Sequence, residues 1–175
     1  SPMSRGLGDV YKRQKMKFPK TIRFDNSDLN IFENPSEEGE WAISGAFEFS
    51  NDTKENLKGK RKQSFSNGFL GLDSFGRSTF VSISSIDEPE KVMIVKKLAK
   101  LFVQSYGAPD IIKASSVAEE EVNFMIDVCS DHDLGSLLTV FRTLENDGIH
   151  EKFRHIPKGD ACSNQKIWTT VSDEN

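Results

Sequence analysis

The stretch DEPEKVMIVKKLAKLFVQSYGAP, residues 87–109, decides how the chain is read. Asp87 is an N-cap residue, Pro89 suits a first helical turn, and Glu90 lies where a capping box needs its carboxylate. Ile94, Val95, Leu98, Leu101 and Phe102 then recur on one helical face, with Lys96, Lys97, Lys100 and Gln104 opposite. Gly107 and Pro109 stop the run. The pattern predicts an amphipathic helix over Asp87 to Tyr106.

Downstream, a second helix is expected from Ser116 to about Ser130, with Glu119 placed to complete a capping box. Ala118, Val122, Met125, Ile126 and Cys129 form its buried stripe. Leu137 to Leu144 reads as a strand, and Asp147-Gly148 is a hairpin turn leading into Ile149 to Ile156. Ile167 to Val171 is a short edge-strand candidate after a loop.

Upstream the signals are strand-like. Thr21 to Phe24 leads into Asp25-Asn26-Ser27-Asp28, a turn cluster, and Leu29 to Glu33 is expected as a short strand. Trp41, Ile43, Gly45, Phe47 and Phe49 alternate with smaller or polar residues, which predicts a strand. Asn51 to Lys62 reads as a solvated polar turn. Asn67-Gly68 is expected to give a bulge or tight turn, and Gly76 a further turn into a strand from Ser78 to Ile86. The whole is an α+β fold: a mostly antiparallel sheet, a meander plus a C-terminal hairpin, with two amphipathic helices on one face. The absence of a repeated βα unit disfavours a doubly wound fold.

Composition agrees with one domain spanning residues 16–157, followed by a loop and tail over 158–175. The chain has 175 residues, 36% hydrophobic and 29% charged, enough for a core without staples. Two cysteines are too few for a disulfide framework, and no signal stretch or long apolar run follows Met16, so a bacterial cytoplasmic protein without membrane contact is expected. Residues 1–15 begin SPMSRGLGDVYKRQ, which lacks apolar periodicity and is similar to translated sequencing-adapter read-through from environmental assemblies. They are read as a non-native extension, with Met16 the natural start. Without Arg5, Lys12, Arg13, Lys15 and Asp9 the formal charge moves from −4 to −7. So acidic a chain repels a phosphate backbone, and nucleic acid is not an expected partner.

Two weak constellations carry what chemistry there is. Gly68, Gly71, Gly76 and Arg77 suggest a loop of backbone amides beside a guanidinium, able to take a small anion. No Walker motif is present, because Arg77-Ser78 follows the last glycine where Lys-Ser or Lys-Thr is required. Turn formation is the simpler role for these glycines. Cys129, Asp131, His132 and Asp133 collect metal-ligand types at a helix exit, but a closed zinc site needs a second cluster, for which only His150, His155 and Cys162 remain. Core packing for Cys129 and a polar exit for the rest is the simpler account. His150 and His155, five apart on a strand, face opposite sides of a sheet. The basic run Lys58 to Lys62 reads as a solvated turn, or as a dock for an acidic partner. Glu119-Glu120-Glu121 suits the helix dipole. No nucleophile with its base is recognisable, and no catalytic residue or cofactor is assigned.

Lys20-Thr21-Ile22-Arg23-Phe24-Asp25, Gly39 to Phe47 (GEWAISGAF) and Asn67 to Gly76 (NGFLGLDSFG) resemble an uncharacterised bacterial family, a domain of unknown function. The likeness runs from about Phe18 to about Arg154. It supplies no active site. It implies an association with bacterial gene groups for molybdenum and iron–sulfur oxidoreductases and their maturation. Two cysteines cannot hold an iron–sulfur cluster alone, so the implied role is assembly or escort. The expectation is a non-catalytic accessory or protein-binding domain, with a protein partner or a homodimer. The alternative is a small enzyme or anion-binding protein using either constellation.

Overall fold

The structure, a computed structural model, describes residues 16–23 and 27–157. Its elements are β1 (Met16–Ile22), α1 (Ser27–Ile31), β2 (Ala42–Ile43), a 3-10 turn (Ala46–Phe49), α2 (Gly59–Asn67), β3 (Phe69–Gly71), β4 (Arg77–Ser78) and β5 (Phe80–Ile86). They continue with α3 (Glu88–Ser105), α4 (Ile111–Ser130), β6 (Leu137–Glu145) and β7 (Gly148–Ile156). The fold is α+β, with antiparallel sheets of four strands, ordered β1-β5-β6-β7, and three strands, ordered β2-β3-β4. No described helix is long and apolar enough to cross a membrane. The chain divides into two compact units. One comprises residues 85–130 with the start of β1 through Phe18; the other comprises residues 19–84 and those from 131 onward.

In the first unit the capping box forms as read: Glu90 N donates to Asp87 Oδ1 at 2.9 Å and Asp87 N to Glu90 Oε1 at 3.1 Å. Such a cap contributes about 1 kcal/mol. Ile94, Leu98, Ala99 and Phe102 are buried on α3; Ala114, Ala118, Val122, Met125 and Cys129 are buried on α4. The second helix starts earlier than Ser116, because Asp110 caps it by accepting from Lys113 N at 2.8 Å.

In the second unit β6 and β7 form the expected hairpin, but its turn residues are Asn146 and Asp147, one position earlier than read, and Gly148 opens β7 opposite Glu145 at φ 127°. Four other local expectations are corrected. Leu29 to Glu33 is not a strand: Asp28 is buried in α1 and its carboxylate accepts from Thr79 N and Thr79 Oγ1, which ties a helical turn there. Trp41 to Phe49 is a strand only at Ala42–Ile43, since Gly45 takes φ 74° and the chain coils into the 3-10 turn that buries Phe49. Lys58 to Lys62 is not a solvated turn but largely the first half of α2, whose Phe65 packs on Phe49 with ring centroids 5.3 Å apart. Gly68 ends that helix at φ −96°, so no bulge of positive φ forms. Phe49, Leu57 and Phe65 make a cluster with Leu144 and Ile149, each phenyl burial worth roughly 1.5–3 kcal/mol. Ile167 to Val171, and residues 1–15, lie outside the described residues.

Candidate functional site

The most concentrated chemistry of the second unit is a buried polar cluster at the end of α2. The last carbonyls of a helix have no partner within it and carry partial negative charge. Here Gly68 N closes on Ser64 O at 3.0 Å, and two buried arginines supply further donors. Arg142, from β6, donates to Phe65 O at 2.7 Å and Ser64 O at 3.4 Å, while Arg77, from β4, donates to Gly68 O at 3.1 Å. Both also reach the Ser44 carbonyl, and Arg77 adds Gly45 O at 3.1 Å.

Each guanidinium has a carboxylate. Glu151 lies across the hairpin from Arg142 and receives its Nε at 2.8 Å; the Ser44 hydroxyl donates to the same carboxylate. Glu48 sits 3.3 Å from Arg77. Burial pulls the Arg142 guanidinium below its ordinary range, and the Glu151 charge and hydrogen bond oppose that pull. A buried arginine so placed is stable only because carboxylate and carbonyls together replace its water.

A recess of about 110 Å³ opens beside Arg77, lined also by Glu33, Asn34, Glu48, Arg61, Ser64 and Phe75. Arg61 pairs with Asp52 and, like Arg77, lies over the Phe49 ring, at 5.1 Å against 4.8 Å. Phe75 holds φ 56°, an unfavourable conformation for a bulky side chain, with its carbonyl accepting from Asn34 Nδ2 at 3.2 Å. The recess is therefore polar, and its cations are balanced by neighbouring anions.

The glycines surround this region as packing positions. A Cβ on Gly68 would meet Ser64 O at 2.9 Å and the Arg77 side chain at 3.0 Å; one on Gly76 would meet the Pro35 backbone at 2.5 Å. Gly71 faces Glu40, which is buried and occupies the amides of the glycine loop: Asp73 N and Ser74 N donate to its Oε1 at 2.8 and 2.7 Å. Glu37 N and Ser74 Oγ donate to Oε2, each at 2.6 Å. The loop thus holds an anion supplied by its own chain, and Arg77 is committed to carbonyls and Glu48.

The other constellation is dispersed in role. Cys129 is buried on α4, where burial pushes its thiol up to about 12 despite the Lys17 ammonium. Asp131 and Asp133 are exposed, and His132 stacks on His155 with centroids 3.9 Å apart. His150 engages Asp147 at 2.7 Å. Among the described residues no group of three or more His, Cys, Asp or Glu is placed to hold a metal ion.

Of the residues read from sequence, only Arg77 enters the buried cluster, with Gly68 beneath it. Arg142, Glu151, Ser44, Glu48 and Glu40 went unread. No local signal announced the Arg142–Glu151 pair: a turn centred on Asp147-Gly148 would set Asn146 against Ile149, whereas the structure turns at Asn146-Asp147 and sets Glu145 against Gly148.

No curated protein and no solved structure matches the chain significantly. A family does match, over residues 16–173, and so extends beyond the Phe18 to Arg154 resemblance at both ends. With most of its length covered, the chain belongs to the family of unknown function DUF6505.

Proposed function

We propose that this chain is a non-catalytic accessory domain of the bacterial cytoplasm that binds a partner protein. The observation that carries the reading is the apolar surface of the helical unit. Val92, Met93 and Val103 on α3 and Ile111, Ile112, Val117 and Phe124 on α4 are all exposed, Ile112 to 80%. Exposed apolar side chains recurring on two packed helices favour a protein contact. The resemblance extends the proposal to a class of partner, a molybdenum or iron–sulfur oxidoreductase or one of its assembly factors.

Val117 and Phe124 are seven residues apart and share one helical face. Immobilised wild-type chain is expected to retain a specific protein from a host extract, and the V117D/F124E variant to lose it while keeping its helical circular dichroism. Unchanged capture by that variant, or steady-state turnover of a small molecule by the purified chain, overturns the reading.

A further inference from the structure

The four-stranded sheet ends in β7, which pairs with β6 on one side and with no other described strand. The register sets Thr139 against Arg154, Phe141 against Lys152 and Thr143 against His150. Side chains alternate along a strand, so these six residues share one face, while Leu138, Val140 and Arg142 are buried on the other. On the first face Lys152 and His150 are exposed, Arg154 is half-buried, and Phe141 is 53% exposed. His150 is engaged by Asp147, and Glu145 stands at the hairpin tip. Lys152 and Arg154 have no carboxylate partner among the described residues. They lie two residues apart, about 7 Å along the strand.

We propose that this edge accepts an extended acidic segment of a partner protein as an added strand, with alternate Asp or Glu side chains opposite Lys152 and Arg154. The inference rests on the protein-binding reading and adds a surface distinct from the apolar helices. Three observations choose this occupant. A terminal strand offers main-chain groups that another peptide backbone completes, which a sugar–phosphate chain does not. Cations at alternate positions repel a second copy of β7 and attract a strand of opposite sign, because cross-strand neighbours on one face lie about 5 Å apart. Among the described residues on this face of β6 and β7, Phe141 is the one exposed phenyl ring, which, on a chain of net negative charge, is a poor stacking platform for single-stranded nucleic acid.

The test uses the full chain and a fluorescent, end-blocked peptide of roughly ten residues alternating Glu and Val, followed by anisotropy at low ionic strength. Saturable binding is expected, weakened about tenfold in the K152E/R154E variant. A peptide alternating Lys and Val should show the reverse preference, binding the variant and not the wild type. That regained binding excludes misfolding as the cause of the loss. N-methylation of alternate Glu-Val amides should abolish binding.

Equal binding of both peptides by wild type, indifference to K152E/R154E, indifference to N-methylation, or stronger binding of an oligothymidylate by the same residues overturns the inference. If the peptide fails while V117D/F124E still abolishes capture, only the edge is rejected. If both fail, the protein-binding reading falls with it.

Discussion

Replacing Arg142 with methionine keeps an unbranched apolar stem but deletes the donors to Glu151, Phe65 O, Ser64 O and Ser44. The stem contributes packing that Met largely preserves, so the loss is electrostatic. Glu151, only 18% exposed at its side chain, would lose the cation that replaces its water, and Phe65 O at the end of α2 would lose its donor, while Ser64 O keeps Gly68 N. Removing one partner of a buried pair costs about 3–5 kcal/mol. The Ser44 hydroxyl still donates to Glu151, which places the expected loss at the lower end, about 3 kcal/mol. With an m value of roughly 2 kcal/mol/M, the urea midpoint falls by about 1.5 M. The double variant R142M/E151L should recover part of this, since both charges leave together; the non-additivity is the signature of the pair. A loss below about 1 kcal/mol in R142M refutes the account of Arg142 as a donor to the end of α2, and strict additivity in the double variant refutes its pairing with Glu151.

Three further outcomes are expected. Gly76→Ala places a Cβ 2.5 Å from the Pro35 backbone, so thermal unfolding should show a loss of roughly 1–3 kcal/mol or more; an unchanged melt contradicts the close approach. His155 has its pKa lowered, first by burial and then by His132, and its buried Nε2 has no partner among the described residues, so the fold prefers the neutral ring. The stability gained from that preference is present above the ordinary histidine range near pH 6.5 and is lost as pH falls through it toward the lower folded value. Urea titrations at either side should show this slope, and His155→Gln should flatten it; an unaltered slope refutes the assignment. Cys129, buried with its thiol raised to about 12, should resist a thiol reagent at mildly alkaline pH in a C162S background and react at once in denaturant. Prompt labelling of the native chain would show that α4 is not packed as described.

What could be read from sequence was what is decided locally. The capping box at Asp87 needs only its own four residues, and Asp147-Gly148 marks a hairpin, although the turn closes one residue earlier and so sets a different register. The errors fall where distant groups decide. Lys60, Arg61 and Lys62 at a helix N-terminus oppose the dipole, and nothing nearby announces that Arg77 and Arg142 will cap the other end. The alternation from Trp41 to Phe49 has a strand period, but Gly45 takes a left-handed conformation and its Cβ position is filled by Leu70, so the run breaks for reasons of packing. The candidate anion loop was half legible: its glycines and amides were visible, yet the carboxylate that fills it stands some thirty residues upstream, one glutamate among many.

That carboxylate changes what the loop is for. A receptor whose ligand is covalently tethered meets it at a high effective concentration, so free carboxylate or phosphate in the surroundings has little chance of displacing Glu40. The segment from Gly71 to Gly76 is in this sense an intramolecular clasp: the chemistry of anion recognition fastens one part of the chain to another, and the specificity of the lock lies in chain length as much as in hydrogen bonds.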